Sequence, residues 1–179
     1  MLNALRQRGQ RRRLSDSLCA GLAAHARSLV FFRDFGVADT IDGRFDMLVF
    51  HAWLVLDALA GRGEQGLSQV LVDAVFVQFD EALREQGAGD MGIGRRMTKM
   101  GEAFYGRLKA YREAADHTQL AAAILRNVYR GAEGRREQAL ALATYAAAAR
   151  DRLACADLTA GQLDFGSPAQ FCPANHANA

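Results

Sequence analysis

Apolar residues recur every three or four positions along most of the chain, which is the spacing that lines one face of an α-helix. The clearest such stripe consists of Ile93, Met97, Met100, Phe104, Leu108 and Tyr111. Both prolines, Pro168 and Pro173, lie close to the carboxyl end, so no proline ring interrupts a helix before them. The pattern therefore predicts an all-α fold.

Turn residues divide this pattern into six helices. The predicted helices cover about 15–30, 42–60, 67–86, 93–115, 119–129 and 135–156. Ser15 or Asp16 is the expected cap of the first helix, and Thr40 or Asp42 is the expected cap of the second, because their side-chain oxygens can accept from free backbone N–H groups.

The composition fits one globular domain. Half of the 179 residues are hydrophobic and 23% are charged, and a chain of this length can close a single core. We predict a single-domain bundle of about six helices over 15–165, preceded by a basic segment over 1–14 and followed by a mobile C-terminal tail over 166–179.

The charge pattern gives weaker information about partners. The net charge of +2 is too small to indicate nucleic acid by itself, and we expect no DNA partner. The arginines that precede the first acidic residue, Asp16, are Arg6, Arg8, Arg11, Arg12 and Arg13. They form either a solvated segment or a contact with anionic lipid or RNA. The most apolar run, 47–56, is well short of the ~20 residues that cross a membrane.

Signals for metal binding or catalysis are absent from the sequence. The three cysteines include no C-x-x-C pair, and the four histidines are isolated from one another. His51 lies on an apolar helix, where a hydrogen-bonded core histidine is favoured over a ligand or a base. We therefore expect no metal, no cofactor and no catalytic residue, and the chain is predicted not to be an enzyme.

Gly87, Gly89 and Gly92 fit the G-x-G-x-x-G fingerprint of dinucleotide-binding loops. In that motif the loop follows directly on a buried strand, whereas "DEALREQ" (80–86) continues a helical pattern up to the first glycine. A connector between two helices is the favoured interpretation. The alternative, motivated by these glycines and by His51, is a small-molecule (haem or nucleotide) binding protein or an enzyme of unknown reaction.

The predicted helix that follows these glycines has a basic outer side. Arg95, Arg96 and Lys99 supply the charge, and Met91 and Tyr105 add a thioether and an aromatic ring nearby. Methionine suits surfaces that must fit irregular apolar partners. A core stripe with a solvated basic face explains most of these residues, and a partner-binding groove is the sharper hypothesis.

The segment 26–113 carries an ordered series of short motifs. They include "DTIDGRFD" (39–46), "GDM" (89–91), "MTKM" (97–100) and "AFYGR" (103–107), together with His51, Asp73, Phe76 and Asp80. In this order the motifs resemble the ubiquinol–cytochrome c chaperone family, the bacterial relatives of the mitochondrial assembly factor for the cytochrome bc1 complex. The residues after 115 carry little of this resemblance.

The resemblance implies an all-helical, non-catalytic chaperone for assembly of the cytochrome bc1 complex, with newly made cytochrome b as the expected client. The ribosome or the inner-membrane surface is a further expected contact, because a basic rim would suit either, and whether a small partner subunit is needed stays open. The implied location is cytoplasmic with peripheral contact to the inner membrane, which would be the matrix side in a eukaryote.

Two groups of residues follow from the surface pattern and the resemblance together. The partner-binding hypothesis covers Arg95, Arg96, Lys99, Met91, Tyr105 and Arg107. The residues of the matched motifs that we expect to be structural are Asp42, Arg44, Phe45, His51, Asp73, Asp80, Asp90 and Phe104.

Overall fold

The computed structural model describes residues 2–85 and 90–173, with side chains described over 8–84 and 93–173. Within the described backbone the chain forms seven α-helices and no strand. They are α1 (Leu2–Ala26), α2 (Leu29–Arg33), α3 (Ile41–Gly61), α4 (Gln65–Glu85), α5 (Asp90–Arg112), α6 (His117–Val128) and α7 (Arg136–Cys155). Six of these helices have twelve or more residues. The predicted all-α bundle of about six helices is therefore confirmed.

Helix α3 is the centre of the bundle. It packs against α1, α4, α5, α6 and α7, and every residue from 49 to 56 is buried. A helix that is apolar on all sides has to be surrounded, because no face of it can be left to water at low cost. The pair α1–α4 lies on one side of α3 and the pair α6–α7 on another, while α5 packs against α4 and α6.

The start of α3 is fixed by two residues of one tight turn. Thr40 is the N-cap, and its Oγ1 accepts from the backbone N–H of Gly43 at 3.1 Å. This confirms Thr40 rather than Asp42 as the cap. Gly43 is buried, and a Cβ atom at this position would lie 1.9 Å from the carbonyl oxygen of Ala38. Only glycine therefore allows the chain to approach this closely before the helix begins.

The end of α7 is held by an arginine from the end of α3. The guanidinium of Arg62 donates to the carbonyl oxygens of Leu153 at 2.7 Å, Ala154 at 2.9 Å and Ala156 at 2.7 Å. The last carbonyls of a helix lack partners within the helix and carry its negative dipole end, so a cation is favourable there.

The predicted start of the first helix was wrong. Helix α1 begins at Leu2 and not at Ser15 or Asp16, and it ends at Ala26 before the separate short helix α2. Ser15 is buried inside the helix. Arginine is a good helix former, so the arginine-rich segment extends the helix and needs no cap at residue 15.

The predicted tail is packed over its first part. Pro168 is buried in a short 3₁₀ turn, Pro168–Phe171, which contacts α2 and α7. The ring of Phe171 lies 6.1 Å from that of Tyr145. Residues 166–173 therefore belong to the domain, and the remainder of the predicted tail lies outside the described residues.

Candidate functional site

An apolar groove opens where the end of α1, the start of α3, the end of α4 and the middle of α5 meet. Its volume is about 280 Å³. The apolar side chains that line it are Ala23, Ala26, Ile41, Phe45, Leu48, Phe79, Ala82 and Met100. Arg27, Arg44 and Gln78 complete the lining, so the edge carries basic side chains.

The first turn of α3 presents its apolar residues to this groove. Ile41 follows the N-cap directly and is 63% exposed, although most large apolar side chains in the described part of the chain are buried. Phe45 lies one turn further along the same helix and is half-buried. Covering an isoleucine side chain completely is worth about 1.5–3 kcal/mol, so this exposure favours a partner.

The floor of the groove rests on a row of aromatic rings, of which Phe45 and Phe79 line the groove and Phe76 and Phe104 continue behind them. The Phe45 ring lies 5.1 Å from Phe79, Phe79 lies 5.7 Å from Phe76, and Phe76 lies 5.3 Å from Phe104. Phe104 is completely buried, in agreement with the apolar stripe predicted for α5. The half-buried wall at Phe45 is thus continuous with the core and rests on close packing.

Beneath Phe45 lies an ionic clasp formed by Asp46, Arg107 and Arg130. Oδ1 of Asp46 accepts a hydrogen bond from Nε–H of Arg107 at 2.9 Å. Oδ2 of Asp46 lies 2.7 Å from a guanidinium nitrogen of Arg130. Asp46 is fully buried. Burial raises the pKa of its carboxyl group, and the two guanidinium groups act against that rise. The clasp joins α3, α5 and the turn after α6.

Arg107 has a second contact, with the groove itself. Its guanidinium lies over the ring of Phe45 at 5.2 Å from the ring centre. The side chain of Arg107 is only 16% exposed. Sequence reasoning grouped it with the surface cations of α5, whereas the structure places it in the clasp. Neither the pairing of Asp46 nor the part played by Arg130 was predicted.

The other predicted partner-binding residues lie on two sides of α5. Arg95, Arg96 and Lys99 are exposed, and Arg96 lies one helical turn before Met100, which lines the groove. Tyr105 is 55% exposed on the other side, where its ring stacks on Phe76 at 6.1 Å. The side chains of Met91 and Asp90 lie outside the described residues.

The acidic residues of the matched motifs make local contacts. Asp80 pairs with Arg84 at 2.7 Å on α4, and Asp73 accepts from Gln69 at 2.9 Å one turn before it. Arg44 pairs with Asp39 at 2.7 Å, across the turn that precedes α3. Asp42 is exposed in the first turn of α3, where a negative charge is favourable near the positive end of the helix.

His51 belongs to a buried polar cluster with His25 and Tyr145. Its Nδ1–H donates to the carbonyl oxygen of Met47 at 2.8 Å, which leaves Nε2 to accept from the hydroxyl of Tyr145 at 3.1 Å. The same hydroxyl lies 2.8 Å from Nε2 of His25 and accepts from it. Burial lowers the pKa of His51 to about 3. Both ring nitrogens are engaged, so His51 is the hydrogen-bonded core histidine that the apolar helix predicts.

The glycine fingerprint does not follow a strand, and its third glycine, Gly92, lies in the first turn of α5. Helix α4 runs to Glu85 and α5 begins at Asp90, so the strand that a dinucleotide-binding loop follows is replaced by a helix. Gly87 and Gly89 themselves lie outside the described residues. In the described part of the chain, no group of three or more His, Cys, Asp or Glu side chains is arranged to hold a metal ion. No helix of that part is both long and apolar enough to cross a membrane.

Comparison with known proteins identifies the family to which this fold belongs. The family model described as Ubiquinol-cytochrome C chaperone matches residues 33–161. The chain belongs to the ubiquinol–cytochrome c chaperone family. It is also similar to the crystal structure of the Cbp3 homolog from Brucella abortus, with a TM-score of 0.80 and 33% sequence identity over 95% of this chain and 99% of that chain. No curated protein matches the sequence.

The span that matches the chaperone family contains most of the groove and all of the clasp. Of the groove lining, only Ala23 and Ala26 of α1 and the following Arg27 precede this span. Sequence reasoning missed the groove residues Ile41, Leu48 and Phe79. One signal was available for Ile41, because an isoleucine directly after an N-cap lies where a helix is normally solvated, and no core contact of the stripe requires it there.

Proposed function

We propose that the chain is a non-catalytic assembly chaperone for the cytochrome bc1 complex, and that it binds newly made cytochrome b through the groove between α1, α3, α4 and α5. Membership of the chaperone family supports the bc1 role. The observation that carries the binding site is the groove itself, in which Ile41, Phe45 and Met100 are presented on a rigid aromatic floor.

The chemistry of the groove suits an apolar helix. Cytochrome b consists of apolar helices that aggregate in water unless they are covered, and an apolar groove can cover one side of such a helix. Met100 can adapt to side chains of different shapes because its thioether chain is flexible. Since a membrane-spanning helix is about 30 Å long, a groove of about 280 Å³ shields a short stretch of it and not the whole.

The basic side chains at the edge of the groove favour one orientation of the bound client helix. Arg27 lies at the end of α1 beside the groove, and Arg96 lies one turn from Met100 on α5. An acidic residue that flanks the bound stretch would be attracted to these side chains, whereas a basic one would be repelled. The charges therefore orient the helix in the groove, and the apolar residues supply most of the affinity.

The experiment is capture of cytochrome b by tagged variants in a respiring bacterium that lacks the native gene. Ile41→Asp and Met100→Asp place a charge in the groove, and we expect each to lower the cytochrome b that co-purifies. Leu140→Asp is the matched control, because Leu140 is 44% exposed on α7, away from the groove. Normal capture by both groove variants, or equal loss with Leu140→Asp, would contradict the proposed site.

The same strains test the proposed role in assembly. Loss of the gene should lower mature cytochrome b while its transcript persists, and the wild-type gene should restore it. Normal levels of the bc1 complex in the deletion strain would refute the proposed function.

A further inference from the structure

We propose that Arg107 is a positioning residue for the groove: fixed by Asp46, its guanidinium holds the ring of Phe45 in the conformation that the client meets. This inference rests on the proposed function, because Phe45 matters only if the groove binds a client. It assigns to Arg107 and Asp46 a role in recognition in addition to their role in packing, whereas Arg130 has a role in packing alone.

The geometry leaves the guanidinium of Arg107 little freedom. Its Nε and one terminal nitrogen bind the same oxygen of Asp46, at 2.9 and 2.8 Å. The other terminal nitrogen donates to the carbonyl oxygen of Ala103 at 3.1 Å, one turn earlier on α5. All three nitrogens are therefore engaged, and the plane of the group is set by contacts on two different helices.

The fixed guanidinium in turn restricts Phe45. Arg107 lies over this ring at 5.2 Å, and Phe79 contacts the ring at 5.1 Å. A half-exposed aromatic side chain would otherwise lose rotational freedom when a partner binds, which costs affinity. Holding the ring in place before binding removes that cost. Phe45 and Asp46 are neighbours in sequence, so the clasp fixes both the backbone and the ring at this point of the groove.

Arg130 completes the charge balance without touching the groove lining. Its guanidinium lies 2.7 Å from the second oxygen of Asp46, so the buried carboxylate is shared between two cations. The backbone of Arg130 has a φ angle of 55°, in the left-handed region that costs energy for a residue with a side chain. Because each arginine binds one oxygen of Asp46, the two give a matched pair, and removing either leaves Asp46 with one cation. Arg107 also lies over Phe45, so only its loss frees that ring.

The test measures co-purified cytochrome b for Phe45→Ala, Arg107→Met, Arg130→Met and the double variant Phe45→Ala/Arg107→Met, with melting curves for each. We expect Phe45→Ala and Arg107→Met to lower capture about three- to tenfold. The amount of cytochrome b captured by Arg130→Met should stay within about twofold of the wild-type amount. For this comparison each variant is assayed at the temperature at which its folded fraction, taken from its melting curve, equals that of the wild type. The double variant should lose no more than Phe45→Ala, because Arg107 acts through that ring.

The outcomes separate this inference from the function on which it rests. Normal capture by Phe45→Ala would overturn the groove assignment and the positioning role with it. Reduced capture by Phe45→Ala, with Arg107→Met equal to Arg130→Met, would overturn the positioning role alone, and so would additive losses in the double variant. If Arg107→Met does not fold, Arg107→Lys and Arg130→Lys replace the pair, since lysine keeps the charge but loses the planar group over Phe45. Equal capture by these two would also overturn the role.

Discussion

Two adjacent aromatic residues on α5 give a direct test of how the structure divides core from surface. Phe104 is completely buried, whereas Tyr105 is 55% exposed. They occupy neighbouring positions of the same helix, so replacing either with alanine changes helix propensity by a similar small amount. The difference between Phe104→Ala and Tyr105→Ala therefore reports the burial of the ring.

The expected magnitude follows from the contacts of each ring. Phe104 packs edge-on against Phe76 at 5.3 Å and Phe79 at 6.3 Å, with no access to water. Replacing such a ring with alanine lowers the free energy of unfolding by about 3–5 kcal/mol, because transfer and cavity costs add. Tyr105 has two ring contacts, stacked on Phe76 at 6.1 Å and edge-on with Phe104 at 5.3 Å, and because its ring is largely exposed their loss should cost only about 1 kcal/mol.

Urea unfolding, followed by the far-ultraviolet circular dichroism of the helices, measures both values. In thermal melts followed by the same signal, we expect the melting temperature of Phe104→Ala to fall by roughly 6–20 °C. A domain of this size loses about 2–4 °C for each kcal/mol of lost stability. Phe104→Leu, which refills most of the volume, should recover a large part of the loss. If Phe104→Ala is no less stable than Tyr105→Ala, the ring does not lie in the core and the packing described for the groove floor is wrong.

Three further predictions concern the ends of α3 and its buried histidine. Gly43→Ala should lower the free energy of unfolding in urea by about 1–3 kcal/mol or more, because its Cβ would lie 1.9 Å from a backbone oxygen. The control Gly61→Ala, whose Cβ meets open space, should be neutral or slightly stabilising. Because burial lowers the pKa of His51 to about 3, the unfolded chain binds a proton below about pH 6.5 that the folded chain does not, so stability should fall as pH falls from 6.5 towards 3, by up to about 1.4 kcal/mol per pH unit. His51→Gln should flatten this slope, and equal slopes in the two proteins would refute the assignment. Arg62→Met should cost about 1–2 kcal/mol by loss of the charged donor at the end of α7, and an unchanged melting temperature would show that water replaces it fully.

Helical periodicity was sufficient to predict most of the helices and many of the buried residues. The stripe from Ile93 to Tyr111 predicted which side of α5 is buried, because the period of the helix determines which side chains share a face. Thr40 was among the predicted caps because capping depends on residues only three positions apart. The start of α1 differs from the prediction because Ser15 and Asp16 are favourable capping residues, whereas the arginine-rich stretch before them can itself be helical.

The ionic clasp and the groove depend on contacts that periodicity does not encode. Asp46 and Arg107 are 61 residues apart, and they meet only because α3 and α5 pack together. The charge of Arg107 suggested a surface residue, since arginine is rarely buried unless it is paired. Its pairing depends on tertiary packing, which also decides that Ile41 and Met100 line one groove although they come from different helices.

Helix α1 packs against a residue that follows it by 140 positions, because His25 contacts Phe165, and this affects when the protein can finish folding. Helix α1 contributes the fully buried Leu18 and Leu22, and the ring of Phe165 stacks on His25 at 4.5 Å. These residues lie outside the span 33–161 that matches the family model. A fragment cut to that span would lose one wall of its core and should not fold cooperatively. During synthesis the closed core can form only once residue 165 has left the ribosome, so the seven helices that precede it stay incompletely packed until then.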